Sequence, residues 1–207
     1  MSAYFKVGSD TSTIQPGGTL RFIVGGHGDS DSSMGNVDAK GVGGGGGTGI
    51  AYKAPNQYKW KILMVAGGGT GASWHSYTGG ESAAPGKAYD LESIGSGGST
   101  SSVTTEYTGG GLGGMNTDET NGSAGAGAGA FSSSDKNDEG IRANAGWPGG
   151  PTEGEPTGGS GHDGSHAAYY SGGWGFGAGG IGKRELGSVL AAGGGGYSGG
   201  KSGDADN

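Results

Sequence analysis

The chain has 207 residues, of which 57 are glycine, 30% are hydrophobic and none is cysteine. That apolar share, counted without glycine, makes a conventional core hard to build, and the missing cysteine excludes disulfides, zinc fingers and thiol catalysis. A formal net charge of -7 without any basic stripe argues against nucleic acid as a partner.

The first ten residues, MSAYFKVGSD, hold no apolar signal-peptide core. Ala3 to Val7 and Thr19 to Val24 predict a β-hairpin about a turn at Pro16-Gly17-Gly18. Asp29 to Asp38 reads as a polar loop. Gly43 to Gly47 is the first long glycine run; Ile50 to Lys53 is a short strand, and Pro55-Asn56 turns the chain into Trp60 to Ala66, the strongest strand signal in the protein. From Thr78 to Thr108 the chain is Ser, Thr and Gly with few anchors. Further glycine runs follow at Gly109 to Gly111, Gly122 to Ala130 and Ser171 to Gly180. Lys183 to Leu190 is the one segment with a short helical pattern, and its end reads as strand. No run approaches the roughly 20 apolar residues of a spanning helix.

One junction recurs three times: an apolar strand passing straight into glycines, at Phe22-Ile23-Val24-Gly25, Met64-Val65-Ala66-Gly67 and Val189-Leu190-Ala191-Ala192-Gly193. Disorder would scatter the hydrophobic residues, and a run such as Ile62-Leu63-Met64-Val65 would be an aggregation hazard if left exposed. An ordered chain in which glycine is itself the packing element is the better expectation. Polyproline-II backbone has three residues per turn and no internal hydrogen bonds, so its amides can bond sideways to neighbours. Without side chains, such rods approach closely enough for Cα–H···O contacts. Collagen is excluded because no strict Gly-X-Y period exists. The expected fold class is mainly β and irregular: a small antiparallel β-element with a bundle of polyglycine-II-like helices and almost no α-helix. Residues 1–207 read as a single glycine-rich domain, with the hairpin at 1–24 and the bundle with its polar loops at 25–207.

The order GGTLRFIVGGHG, GVGGGGGTGIAYK, KWKILMVAGGGTGAS and AAGGGGYSGGKSGDADN resembles the glycine-rich domain of anaplastic lymphoma kinase and leukocyte tyrosine kinase, a type found also in microbial surface proteins. The resemblance implies a polyglycine-II bundle beside a small β-element, an extracellular, cell-surface or virion-surface location, and recognition of protein ligands. A looser similarity is to glycine-rich adhesins at phage tail-fibre tips, where glycine rods present variable loops. The chain departs from the receptors in lacking cysteines, a membrane span and a kinase domain.

The motifs that could carry chemistry are weak. Gly195 to Ser202, GGYSGGKS, satisfies the P-loop pattern in letters, but the five residues after Ser202 are too few for the helix a phosphate site needs. Gly175 to Gly180 fits G-x-G-x-x-G, a pattern that so many glycines produce by chance. His162 and His166 stand four apart in a segment too rich in glycine to be a helix, which leaves no metal pair. Asp29, Asp31, Asp135 and Asn137 mark acidic clusters suited to oxygen-loving ions. The cluster at Asp135 begins like a calcium loop but has Gly146 where the bidentate Glu belongs. No cofactor is expected, a structural Ca²⁺ being the one ion this ligand chemistry suits. Asn121-Gly122-Ser123 is the single glycosylation sequon singled out.

Aromatics beside the glycine runs carry the functional reading. Trp60, Phe176 and Tyr197 are expected to pack. Trp74, His75, Tyr77, Tyr169 and Tyr170, expected in polar loops, are the ligand-binding candidates. Tyr4, Phe5 and Val7 are the candidates for assembly by strand pairing with a neighbouring copy. The expectation is a non-catalytic extracellular structural module, a subunit of a surface fibre or matrix. Its partner is itself or a cell-surface protein or glycan. The competing expectation is an adhesin or receptor-type binding domain. No acid, base or nucleophile set can be named for an enzyme.

Overall fold

The computed structural model describes residues 2–29, 39–41, 43–71, 73–75, 81–82, 113, 124–134, 142–148, 150, 154–161, 169–183 and 192–200. Its strands are β1 (Thr19–Ile23), β2 (Ala39–Gly41), β3 (Thr48–Lys53), β4 (Trp60–Ala66), β5 (Ser73–His75), β6 (Glu81–Ser82), β7 (Tyr169–Tyr170) and β8 (Gly182–Lys183). They form three antiparallel sheets, ordered β1-β3-β4, β2-β5-β6 and β7-β8. The described residues are thus mainly β and irregular with almost no helix, as composition led one to expect.

β3 and β4 make the hairpin foreseen at Pro55-Asn56. Asn56 takes φ 58° there, and the Gln57 N–H donates to Ala54 O at 3.2 Å. The turn at Pro16-Gly17 also forms: Gly17 has φ 81° and the Gly18 N–H donates to Gln15 O at 3.1 Å, the arrangement of a type II turn. The hairpin expected around it does not form. β1 pairs instead with β3, from Thr19 opposite Lys53 to Ile23 opposite Gly49, and residues 2–6 carry no strand. The backbone near Val7 is held elsewhere, in a parallel bridge to Ile14. There the Gly8 N–H donates to Ile14 O and the Ile14 N–H to Lys6 O, at 3.1 and 2.9 Å. Pairing with β3 sets Ile23, Ala51 and Val65 on one sheet face, where a core can form.

Each strand of this sheet continues as a glycine segment: β1 into 24–29, β4 into 67–71, and β3 out of 43–47. The sheet order persists among the segments. The Gly43 and Gly46 N–H groups donate to Asp29 O and Gly26 O, and the Gly45 N–H donates to Gly69 O. Gly44 and Gly47 donate elsewhere, to Gly180 O and Gly177 O. Successive amides of 43–47 therefore face three different neighbours and return to the first at every third residue. The same step of three joins Gly26 and Asp29 to Trp174 and Ser171, Gly68 and Gly71 to Gly195 and Ala192, and Gly125 and Ala128 to Ile181 and Ala178. These bonds stack a second layer (171–175, 177–181, 192–196) on the first, and a third (157–161, 143–147, 124–130) on the second.

Glycine is needed here because of close approach. Among the described glycines only Gly17, Gly150, Gly158 and Gly177 have positive φ. Yet a Cβ added at Gly44 would fall far inside contact distance of Gly193 O, one at Gly46 inside that of Trp174 O, and one at Gly179 inside that of Gly44 O. The Cα–H that takes this direction points at a carbonyl, a weak attraction repeated across the layers. Alanine fills the remaining gaps: Ala124, Ala126, Ala128, Ala130, Ala178 and Ala192 are fully buried.

The larger side chains collect where the segments meet the first sheet. Ile23, Ala51, Trp60, Val65, Ala130, Trp147 and Phe176 form one cluster, with Ile62, Phe131 and Tyr197 against its margin. Phe131, Trp147, Tyr197 and Phe176 meet in tilted and edge-on contacts, with centroids 5.6 to 6.3 Å apart, geometries that suit the ring quadrupoles. The packing expected of Trp60, Phe176 and Tyr197 is observed. The indole N–H groups of Trp60 and Trp147 are buried without a partner, each a cost of about 1–3 kcal/mol.

The close approaches predict a sharp contrast between two exchanges of the same chemistry. Gly44→Ala should destabilise the fold by about 3 kcal/mol or more in denaturant unfolding. Gly26→Ala, whose Cβ would lie 3.7 Å from its nearest neighbours, should change stability by less than about 1 kcal/mol.

Candidate functional site

The lateral bonds also fix which end of each segment lies where. Asp29, Gly43 and Ser171 meet at one end of the stack: the Asp29 N–H donates to Ser171 O at 2.8 Å, and the Gly43 N–H to Asp29 O at 3.1 Å. Gly71 bonds Ala192, and Gly125 bonds Ile181, toward the same end. The three-stranded sheet and the aromatic cluster occupy the other end.

β2 precedes Gly43, β5 follows Gly71, β7 precedes Ser171 and β8 follows Ile181. All four strands therefore leave the stack at the end away from the first sheet, and β2 lies beside β8. Two pairs of ligand-binding candidates are brought to this end. Trp74 and His75 sit on β5, the middle strand of its sheet, with Trp74 between Lys40 and Glu81. Tyr169 and Tyr170 form β7, opposite Lys183 and Gly182. These four residues were expected in loops and lie on strands. Pairings of two or three residues are too short to leave a period in the sequence; they form where neighbouring segments deliver two chains side by side. Tyr170 is half-buried.

Tyr77, Asn121, Asp31, Asp135, Asn137, the His162–His166 segment, Gly109 to Gly111 and the strand expected at Ser188 to Leu190 lie outside the described residues, as do Lys201 and Ser202 of the P-loop-like string. Asp29 is exposed, and its backbone serves the segment network. No group of three or more potential metal ligands occurs among the described residues, and no described helix is long and apolar enough to cross a membrane.

At the first sheet lies a cluster that sequence reading missed. Arg21, Lys53 and Trp60 share the inner face of the sheet, where the Arg21 guanidinium lies 4.7 Å and the Lys53 ammonium 4.9 Å from the Trp60 ring centroid. Glu155 reaches both cations, at 3.0 Å from Arg21 and 3.9 Å from Lys53. Arg21 also donates to Pro156 O at 3.1 Å. The cluster closes the wet margin of the core and latches 154–158 onto the sheet. Its only sequence signal is the alternation of Arg21 and Lys53 with Phe22 and Tyr52, which take the opposite face of the sheet. The assembly candidates Tyr4, Phe5 and Val7 are all exposed. Trp174, also exposed, packs its ring over Gly158, whose φ of 82° and lack of Cβ make room for it.

No family model, no curated protein and no solved structure matches this chain.

The latch and the core beneath it should separate in unfolding experiments. Trp60→Ala should cost about 3–5 kcal/mol, whereas Glu155→Gln, which removes only half-exposed ion pairs, should cost less than about 1 kcal/mol. Burial raises the Tyr197 phenol above its ordinary value of 10.0. The unfolded chain then loses this proton first, so the contribution of Tyr197 is whole below that value and falls as pH rises above it. Tyr197→Phe should accordingly flatten the loss of stability above that pH, read as the difference between variant and parent melting temperatures.

Proposed function

We propose that the chain is a non-catalytic structural module, built as a bundle of polyglycine-II helices and serving as a subunit of an extracellular, surface-attached fibre or matrix. The observation that carries the architecture is the return of lateral hydrogen bonds at every third residue. That is the symmetry of a backbone with three residues per turn and no internal bonds. A stack of this kind is stiff, nearly free of side-chain chemistry and bounded by polar connections, which suits a building block. The resemblance to the glycine-rich domain of the two receptor kinases and of microbial surface proteins supports the same architecture and an outer-surface location. Copies assemble through strand pairing and packing of glycine segments.

A second reading, an adhesin or receptor-type domain that binds a surface protein or glycan, has one observation in its favour. The strands bearing Trp74, His75, Tyr169 and Tyr170 leave the stack at one end.

Electron microscopy with light scattering on the same sample separates the two. Regular filaments that grow with concentration are expected; a monodisperse monomer at all concentrations would overturn the fibre reading. In that case Trp74→Ala with Tyr169→Ala should weaken glycan or protein capture at least tenfold at an unchanged melting temperature.

A further inference from the structure

β1 is an edge strand. Its backbone is bonded to β3 on one side, and among the described residues no other backbone hydrogen bond reaches Thr19–Ile23. Natural sheets blunt such edges with charge, proline or bulges, because an open edge templates pairing with another chain. Here the outward row beside the edge is apolar instead. Leu20 and Phe22 on β1, and Val24 just past its end, alternate along the chain and are 43%, 63% and 67% exposed. Across the sheet Phe22 is followed by Ile50 and Met64 on the same face.

The same chain carries an apolar segment that has no pairing partner among the described residues. Tyr4, Phe5 and Val7 are 101%, 40% and 65% exposed, and residues 2–5 make no hydrogen bond. Within one copy the segment is withheld from β1, because the backbone around Val7 is tied to Ile14.

We propose that residues 3–7 of one copy add as a strand to the free edge of β1 in a second copy. The inference rests on the structural reading above and names the contact that would build the assembly. The lengths agree, five residues against the five of β1. In a strand, alternate side chains share a face, so Ala3, Phe5 and Val7 would extend the row of Leu20 and Phe22. Tyr4 and Lys6 would turn to the opposite side. Main-chain bonds along the edge would supply affinity and the apolar row would fix the face, the usual division of labour in strand addition. Donor and acceptor are different surfaces, so the contact is heterologous and propagates as an open chain unless two copies exchange strands reciprocally.

Two changes to the full chain test this: deletion of residues 2–7, which removes the donor, and Phe22→Lys, which charges the acceptor face. Both sites are exposed, and unchanged circular dichroism and melting temperature confirm the fold. Each variant alone should associate at least tenfold more weakly than the parent by light scattering, and a mixture of the two should give a one-to-one dimer. A peptide of residues 2–8 in excess should suppress assembly of the parent chain, which keeps the test independent of both variants. Assembly that survives the deletion and the peptide would overturn the inference and leave the fibre reading standing. A closed dimer abolished by either change would support the inference and overturn the fibre reading. A parent chain that stays monomeric would overturn both.

Discussion

A glycine backbone offers one N–H donor and one C=O acceptor per residue and no side chain to hold neighbours apart. In this protein those groups are satisfied sideways, between segments distant in sequence, rather than along a helix. The Gly44 N–H, for example, reaches Gly180 O at 3.0 Å while its own carbonyl accepts from Gly173 at 2.7 Å. The whole stack depends on that exchange, because buried amides left unpaired would each forfeit more than a formed bond returns. Ordering glycine is entropically expensive, so a single segment has no reason to straighten. Each is held because it is surrounded.

The small apolar core follows from this arrangement. With backbone packed on backbone, the interior of the stack has room for methyl groups and little else, which is why Ala126, Ala128 and Ala178 are buried there. Among the described residues the buried tryptophans and phenylalanine lie where the segments diverge into the first sheet. The cluster of Trp60, Trp147 and Phe176 therefore caps the end of the stack, with Arg21 and Lys53 shielding the Trp60 ring from water.

The same divergence gives the molecule two unlike ends. One has a continuous apolar core, a well-paired sheet and an open edge at β1. The other carries short strands that do no more than continue the segments, and it is there that Trp74, His75, Tyr169 and Tyr170 reside. A stack of laterally bonded segments with strands at both ends accommodates both proposed readings, since building and binding would use different surfaces.

The sequence by itself determined that glycine would be the packing element, that strands would run directly into glycine segments, and where the turns at Pro16-Gly17 and Pro55-Asn56 would fall. It also placed β4 and marked Trp60, Phe176 and Tyr197 as packed. These are local matters of composition, turn chemistry and apolar runs, legible without knowing any partner. Tertiary structure alone decided that β1 pairs with β3 rather than with residues 3–7. Pairing is a competition between edges, and β3 wins by placing Ala51 and Gly49 opposite Arg21 and Ile23 above the Phe176 ring. It decided also that Trp74 and Tyr169 leave the same end and that Glu155 joins two cations on one indole. Glycine runs look alike in sequence, and which run lies beside which is set by carbonyls and amides that the sequence does not distinguish.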